Sequence, residues 1–283
     1  MEMGIRTAFI AAIVMLCGVA ALPREHGGAA IFLQSAGAPA AKAAASPSLP
    51  ADFSLPDAMK ALYGNYDAAK KASTFRLTKK FPHTFFDKSG KVEVHEFLAA
   101  GAMDSGAMKV FVLTYAVPAA APEFSCHACA PVIGAAIFAK KGDAWAVESA
   151  ERAYDVLGNW GGPPQASVVR AGPDRGAFEL TPGNTNQGET EASTVILLPW
   201  KGEIREAFSV ETESTEPSDC GDGNQCADKT GEVTFARGTN ADYDDIVLTI
   251  SGTETSAKTG KDVKVQRVQK WKFSDGKYVR VAR

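Results

Sequence analysis

No block of basic residues runs through this 283-residue chain, and no acidic tail closes it. Thirty Lys and Arg stand against 33 Asp and Glu, a formal net charge of −3. That balance lacks the cationic surface nucleic acid requires, so nucleic acid is not an expected partner. Familiar catalytic patterns are missing too. There is no Gly-x-Ser-x-Gly, hence no nucleophile elbow of the hydrolase type. His95-Glu96 meets Ala99 where a zinc-protease helix needs a second histidine. Gly221-Asp222-Gly223 is not followed by the Gly-Lys-Ser/Thr of a phosphate loop. Histidine is scarce: beyond the N-terminal segment only His83, His95 and His127 remain. His83 follows Pro82 in an expected loop, and His95 points outward on an expected strand. No cofactor is implied.

Long apolar runs are equally scarce. The one present, Thr7 to Leu22, follows the single basic side chain Arg6 and is closed by Pro23 and Arg24. It is shorter than the roughly 18–20 residues of a spanning helix and sits at the N-terminus, the pattern of a signal peptide over residues 1–28. Small-x-small cleavage sites occur at Gly18-Val19-Ala20 and Ala36-Gly37-Ala38. Cys17 would invite lipidation, but Val14-Met15-Leu16 lacks the small residue such a site carries. Residues 29–52 are rich in Ala, Pro, Ser and Gly and read as a linker. The mature chain then has no expected membrane span and belongs in the periplasm or outside the cell.

Five cysteines are present, and removal of Cys17 leaves Cys126, Cys129, Cys220 and Cys226. An even number in an oxidising compartment reads as disulfides. Three pairings are open. The local one, Cys126–Cys129 with Cys220–Cys226, comes first because each bond closes a short loop. Cys126-His127-Ala128-Cys129 also has the spacing of a redox dithiol, whose first cysteine sits at a helix N-terminus that lowers its pKa. The run after Pro131 reads instead as a buried strand, which denies Cys126 that position. Haem attachment needs His directly after the second cysteine, where Ala130 stands. A zinc site from all four cysteines is disfavoured by the wide second spacing.

Calcium is weighed at three places. Residues 87–97 resemble the later part of an EF-hand loop, but Phe85 occupies the first carboxylate position. Asn240, Asp242 and Asp244 offer oxygens at alternate positions, without the loop Gly or closing Glu. Asp219, Asp222 and Asn224 lie between Cys220 and Cys226.

Residues 53–283 read as a mainly β domain, one unit or two sub-domains, with one N-terminal amphipathic helix. Ser54 is a cap, Pro56 fits the first turn, and Met59, Leu62, Tyr63 and Tyr66 fall on one face, predicting a helix that ends near Ala72. Strands are expected at 91–97, 109–115, 132–138, 145–148, 167–170, 176–180, 194–198, 204–212, 232–235, 245–251, 264–273 and 278–281. Polar turns separate them, so antiparallel sheets in a sandwich or barrel are expected. Residues 181–190 read as a long polar loop.

Phe124-Ser125-Cys126-His127-Ala128-Cys129-Ala130-Pro131, with Gly158-Asn159-Trp160-Gly161 and the ending Trp271-Lys272-Phe273-Ser274-Asp275-Gly276-Lys277-Tyr278, resembles secreted or periplasmic bacterial proteins of unknown function. The resemblance implies an envelope location and carries no activity and no site residue. The reading is therefore an exported, non-catalytic envelope protein, a binding or structural module. A thiol–disulfide oxidoreductase using Cys126 and Cys129, or a calcium-stabilised binding module, are the alternatives. N-terminal sequencing of the exported protein is expected to begin between Ala21 and Ala41; a product that retains Met1 would make the apolar run an anchor.

Overall fold

A computed structural model describes residues 48–282, apart from 83, 87, 89, 122–123, 187–188, 216–226, 257 and 260. The expected leader, most of the linker, His83, Cys220, Cys226, Asp219, Asp222 and Asn224 lie outside the described residues, as do Asp87 and Ser89 of the EF-hand-like stretch. The described chain is mainly β, with antiparallel sheets and a short helix. No described helix is long and apolar enough to cross a membrane.

Helix α1 spans Leu55–Tyr63. Ser54 caps it, its hydroxyl accepting from the Asp57 N–H at 3.4 Å. The helix stops nine residues short of the expected end because Gly64 takes φ +80° and turns its N–H back to the Lys60 carbonyl. Asn65 then acts as a surrogate strand partner. Its side-chain amide donates to the Thr74 carbonyl and its carbonyl accepts from the Thr74 N–H, both at 2.7 Å. This seats strand β1, Ser73–Leu77, which the sequence pattern did not indicate.

Five strands form the first sheet in chain order: β1, β2 (Gly90–Asp104), β3 (Ala107–Pro118), β4 (Val132–Lys141) and β5 (Ala144–Val156). The second sheet takes the rest: β6 (Gln165–Gly172), β7 (Arg175–Thr181), β8 (Gly183–Asn186), β9 (Glu189–Trp200), β10 (Glu203–Thr215), β11 (Asp228–Ala236), β12 (Asp245–Thr255), β13 (Asp262–Ser274) and β14 (Lys277–Arg280). Its order is β14-β13-β12-β11-β10-β9-β7-β6, with β8 paired to β9. The residues read as a polar loop at 181–190 thus contain a strand, a hairpin of polar side chains. Three hairpins close through Ser105-Gly106, Lys201-Gly202 and Asp275-Gly276, with both residues of each pair at positive φ. Such turns match the right-handed twist of the flanking strands.

The core is layered. On one face of the first sheet, Val110, Val112 and Phe138 meet Met59, Leu62 and Tyr63 of α1. On the opposite face Phe111, Leu113, Ile133 and Ile137 meet Phe178, Leu180, Val195 and Leu197 of the second sheet. Strands β3, β4 and β9 are therefore buried on both sides, which is why their sequences are continuous apolar runs. The far face of the second sheet closes on itself. Ala171, Ala177, Ile196, Leu198, Phe208, Ile246, Phe273 and Tyr278, from seven different strands, share one cluster. Only a curled sheet brings β6, β10 and β14 side chains together, so this sheet forms a half-barrel.

The interface between the sheets has a tight point. Phe111 is fully buried and meets Phe178 edge-on, ring centroids 5.2 Å apart. A Cβ on Gly176 would lie 2.5 Å from the Phe111 ring. Gly176→Ala is expected to cost about 1–3 kcal/mol by overpacking. Urea titration of Gly176→Ala, Phe111→Leu and the double variant should show the pair costing less than the sum of the singles. Strict additivity would mean that the two residues do not press on each other.

Candidate functional site

Three connections meet at one end of the sandwich. The Cys126 motif lies between β3 and β4, the Gly158-Asn159-Trp160-Gly161 segment between β5 and β6, and the β8–β9 hairpin beside them. Cys126 and Cys129 are disulfide-bonded, Cα atoms 4.9 Å apart. Cys129 is buried and Cys126 exposed. The Cys129 N–H returns to the Cys126 carbonyl at 2.9 Å, so the motif is a closed turn rather than a helix start. Strand β4 follows at Val132, as the sequence pattern implied. The helix dipole that activates a redox cysteine is therefore not supplied by the residues after the motif.

The disulfide turn holds the second loop. The Gly161 N–H donates to the Cys129 carbonyl at 2.7 Å. Asn159 and Gly162 exchange backbone hydrogen bonds at 3.2 and 2.8 Å, closing a turn with Trp160 and Gly161 at its tip. Gly161 has φ +77°, and a Cβ there would stand 1.7 Å from the Phe124 carbonyl oxygen, so only glycine fits against the disulfide loop. Trp160 has φ +50°, uncommon for a bulky side chain, and is 61% exposed. Its ring meets His127 edge-on at 5.1 Å. His127 Nε2 lies 3.0 Å from the Thr185 carbonyl oxygen. A carbonyl only accepts, so the ring carries a proton on Nε2. Asn159 ties the loop to the same hairpin through its side-chain amide, 2.9 Å from the Gly183 carbonyl.

These contacts frame a cleft of about 370 Å³. Gln165, Asn184, Thr185, Thr190, Glu191 and Glu213 are among its lining residues. The Thr185 and Thr190 hydroxyls bond each other at 3.0 Å. Gln165, Asn184 and Glu191 are exposed to solvent, and the strand register places Asn184 and Glu191 on the opposite sheet face from Glu213. No lysine, arginine or histidine lines the cleft.

The other candidate ligands are engaged elsewhere. Asn240 uses its side-chain oxygen to accept from the Asp242 and Tyr243 N–H groups at 2.8 and 3.0 Å. Asp242 pairs with Arg175 at 2.7 Å and Asp244 with Arg237 at 3.3 Å. Among the described residues no three His, Cys, Asp or Glu side chains form a group that could hold a metal. In the EF-hand-like stretch, β2 has begun by Gly90, and His95 stacks on Tyr115 at 5.2 Å.

Asp242 belongs to a charged cluster between the sheets that sequence reasoning missed. Lys109, 8% exposed at its side chain, donates to Asp104 and Glu148, each at 2.8 Å. Burial alone pulls the Lys109 ammonium down, but the two carboxylates outweigh it and hold its pKa above the usual lysine value. Arg175 reaches the Ser105 hydroxyl as well as Asp242. A second cleft of about 290 Å³ opens beside these groups. Five positions spread from 104 to 242 leave no local motif to read.

No protein-family model, no curated protein and no solved structure matches this chain.

Cys126→Ser is expected to lower stability by about 2 kcal/mol, the contribution of a short-loop disulfide. Guanidinium titration of the variant against wild type measures this. A loss near zero would mean that the turn holds without its bond.

Proposed function

We propose that this chain is an exported, non-catalytic binding module that works in the periplasm or outside the cell, with a small polar ligand held in the cleft beside Trp160. The observation that carries the reading is Trp160, a largely exposed aromatic ring held in a strained turn that is clamped to the disulfide loop, next to a cleft whose lining includes the adjoining Asn159. Ligand sites are concave and carry a few polar groups that orient what they hold. Backbone strain of this kind persists where surrounding contacts over-determine it. Here the disulfide turn, Gly161 and His127 do so. The N-terminal apolar run, the disulfide and the resemblance to envelope proteins support export.

A second reading has one observation in its favour. Cys126 is exposed while Cys129 is buried, the asymmetry a thiol–disulfide oxidoreductase needs for attack at one sulfur. Against it stands the strand that follows the motif.

The two readings separate by potential and turnover. A structural bond is expected below about −300 mV, beyond the reach of the glutathione pool. Wild-type protein should then reduce no insulin above background. A potential among those of known oxidoreductases, with insulin reduction that disappears in Cys126→Ser, would replace the binding module with the enzyme.

A further inference from the structure

We infer that the outer face of β13 and β14 docks on an anionic phospholipid membrane. None of its residues lines the Trp160 cleft, so it is a second surface and stands apart from the binding-module reading. The first argument is the distribution of charge along the chain. Residues 256–283 hold nine Lys and Arg against two Asp, a net +7. The remaining 21 Lys and Arg stand against 31 Asp and Glu, a net −10. The even overall balance therefore conceals a basic end on an acidic chain, a split that points to an anionic partner.

The second argument is how the fold sorts these residues by face. Side chains alternate along a strand. Trp271, Phe273 and Tyr278 point into the half-barrel core. Lys264, Lys270 and Lys272 have the opposite parity and lie outside, and pairing puts Lys277 opposite Ser274 on that same outer face. All four lysines are exposed, and none is in an ion pair among the described residues. Carboxylates on this face stand at its margins. Asp245 and Asp262 begin β12 and β13, and Asp262 accepts from the Thr255 hydroxyl at 2.9 Å. Asp228 and Glu232 lie on β11, two strands away, on a face made convex by the curl of the sheet round its own core. A plane laid on β13 and β14 leaves β11 behind. Lysines also guard open sheet edges. That accounts for Lys264 but not for Lys270, which faces Val247 of β12 on one side and whose carbonyl accepts from Val281 on the other.

The third argument selects a membrane among polyanions. Val268 and Val279 share the outer face with the lysines, 48% and 47% exposed, and Val279 stands directly opposite Lys272. At a bilayer surface the lysine stems can reach up to phosphate while the valines leave water against the headgroup boundary. A hydrated polyanion offers the valines nothing. A sheet that holds single-stranded nucleic acid needs outward aromatic rings to stack bases, and here Trp271, Phe273 and Tyr278 all face inward. Lysine is moreover a point charge without the planar fork that reads a fixed phosphate geometry, which suits mobile headgroups.

The test is co-sedimentation of full-length mature protein with vesicles of phosphatidylcholine alone or mixed with phosphatidylglycerol, at low and high salt. Binding is expected to the mixed vesicles only and should fall steeply as salt rises. Lys270→Glu/Lys272→Glu should weaken it about twentyfold or more. Lys80→Glu/Lys88→Glu makes the same change in net charge on exposed lysines that precede β2, and should leave binding within about twofold. Val268→Ser/Val279→Ser should weaken it about threefold or more while the salt dependence stays. All six residues are exposed, so each variant should melt like wild type. Absence of binding to the mixed vesicles would overturn the assignment. So would equal losses in the two lysine pairs, since overall charge and not this face would then be responsible. Duplex DNA bound in place of vesicles, and lost in Lys270→Glu/Lys272→Glu, would hand the face to nucleic acid.

Discussion

Phe111 stands edge-on to Phe178 between the two sheets, and Gly176 leaves the space that lets it do so. Around that contact the inner faces of β3, β4, β7 and β9 interlock. The arrangement puts both faces of the central strands out of water. One face of the first sheet is left for α1, and one face of the second must find its own cover. It does so by curling, which gathers aromatics from β10, β13 and β14 over Ile196 and Leu198. Among the described residues there is no second helix to place on that face, and the half-barrel covers it instead.

Polar chemistry is pushed to the two ends of this sandwich, and the ends differ. At one, Lys109 bridges Asp104 and Glu148 while Arg175 ties Ser105 to Asp242, so charges are matched across the junction of the sheets. Buried pairs of this sort contribute little net stability but penalise misregistered packing through unpaired charge. At the other end, around Trp160, the side chains lining the cleft are uncharged or acidic. The same sandwich therefore pairs its charges at one end and carries an exposed aromatic ring beside a polar cleft at the other. Elsewhere, burial raises the pKa of Glu179 in β7.

How far the sequence could be read follows from burial. The doubly buried strands announced themselves, since a run such as Val132-Ile133-Gly134-Ala135-Ala136-Ile137-Phe138 has no polar face to disguise it. The cysteine pair at 126 and 129 was legible from spacing, and the strand after it from composition. Three things were not. Tyr66 keeps the helical period beyond Gly64, so the pattern extends α1 past its true end at Tyr63. Strand β1 is five residues held by an asparagine side chain, a tertiary device with no local trace. Strand β8, Gly-Asn-Thr-Asn, has the composition of a loop and is a strand because β9 pairs with it. The cleft was also invisible. Its lining comes from β6, β7, β8, β9, β10 and a turn, and the sequence named Trp160 without revealing that its turn is clamped to the disulfide.

Strand order carries a kinetic meaning. Nearly every strand pairs with its neighbour in the chain, and the exception, β7 with β9, skips only the short β8. Loop closure for each pairing is therefore short, and a chain of this topology can zip forward one hairpin at a time. The first sheet is complete at Val156, before any residue of the second has been added. At that moment Phe111, Leu113, Ile133 and Ile137 form an uncovered greasy face that persists until β7 and β9 arrive, some forty residues later. In a chain that folds from its N-terminus forward, the stretch between Val156 and β9 is where this face would stand uncovered and most exposed to aggregation.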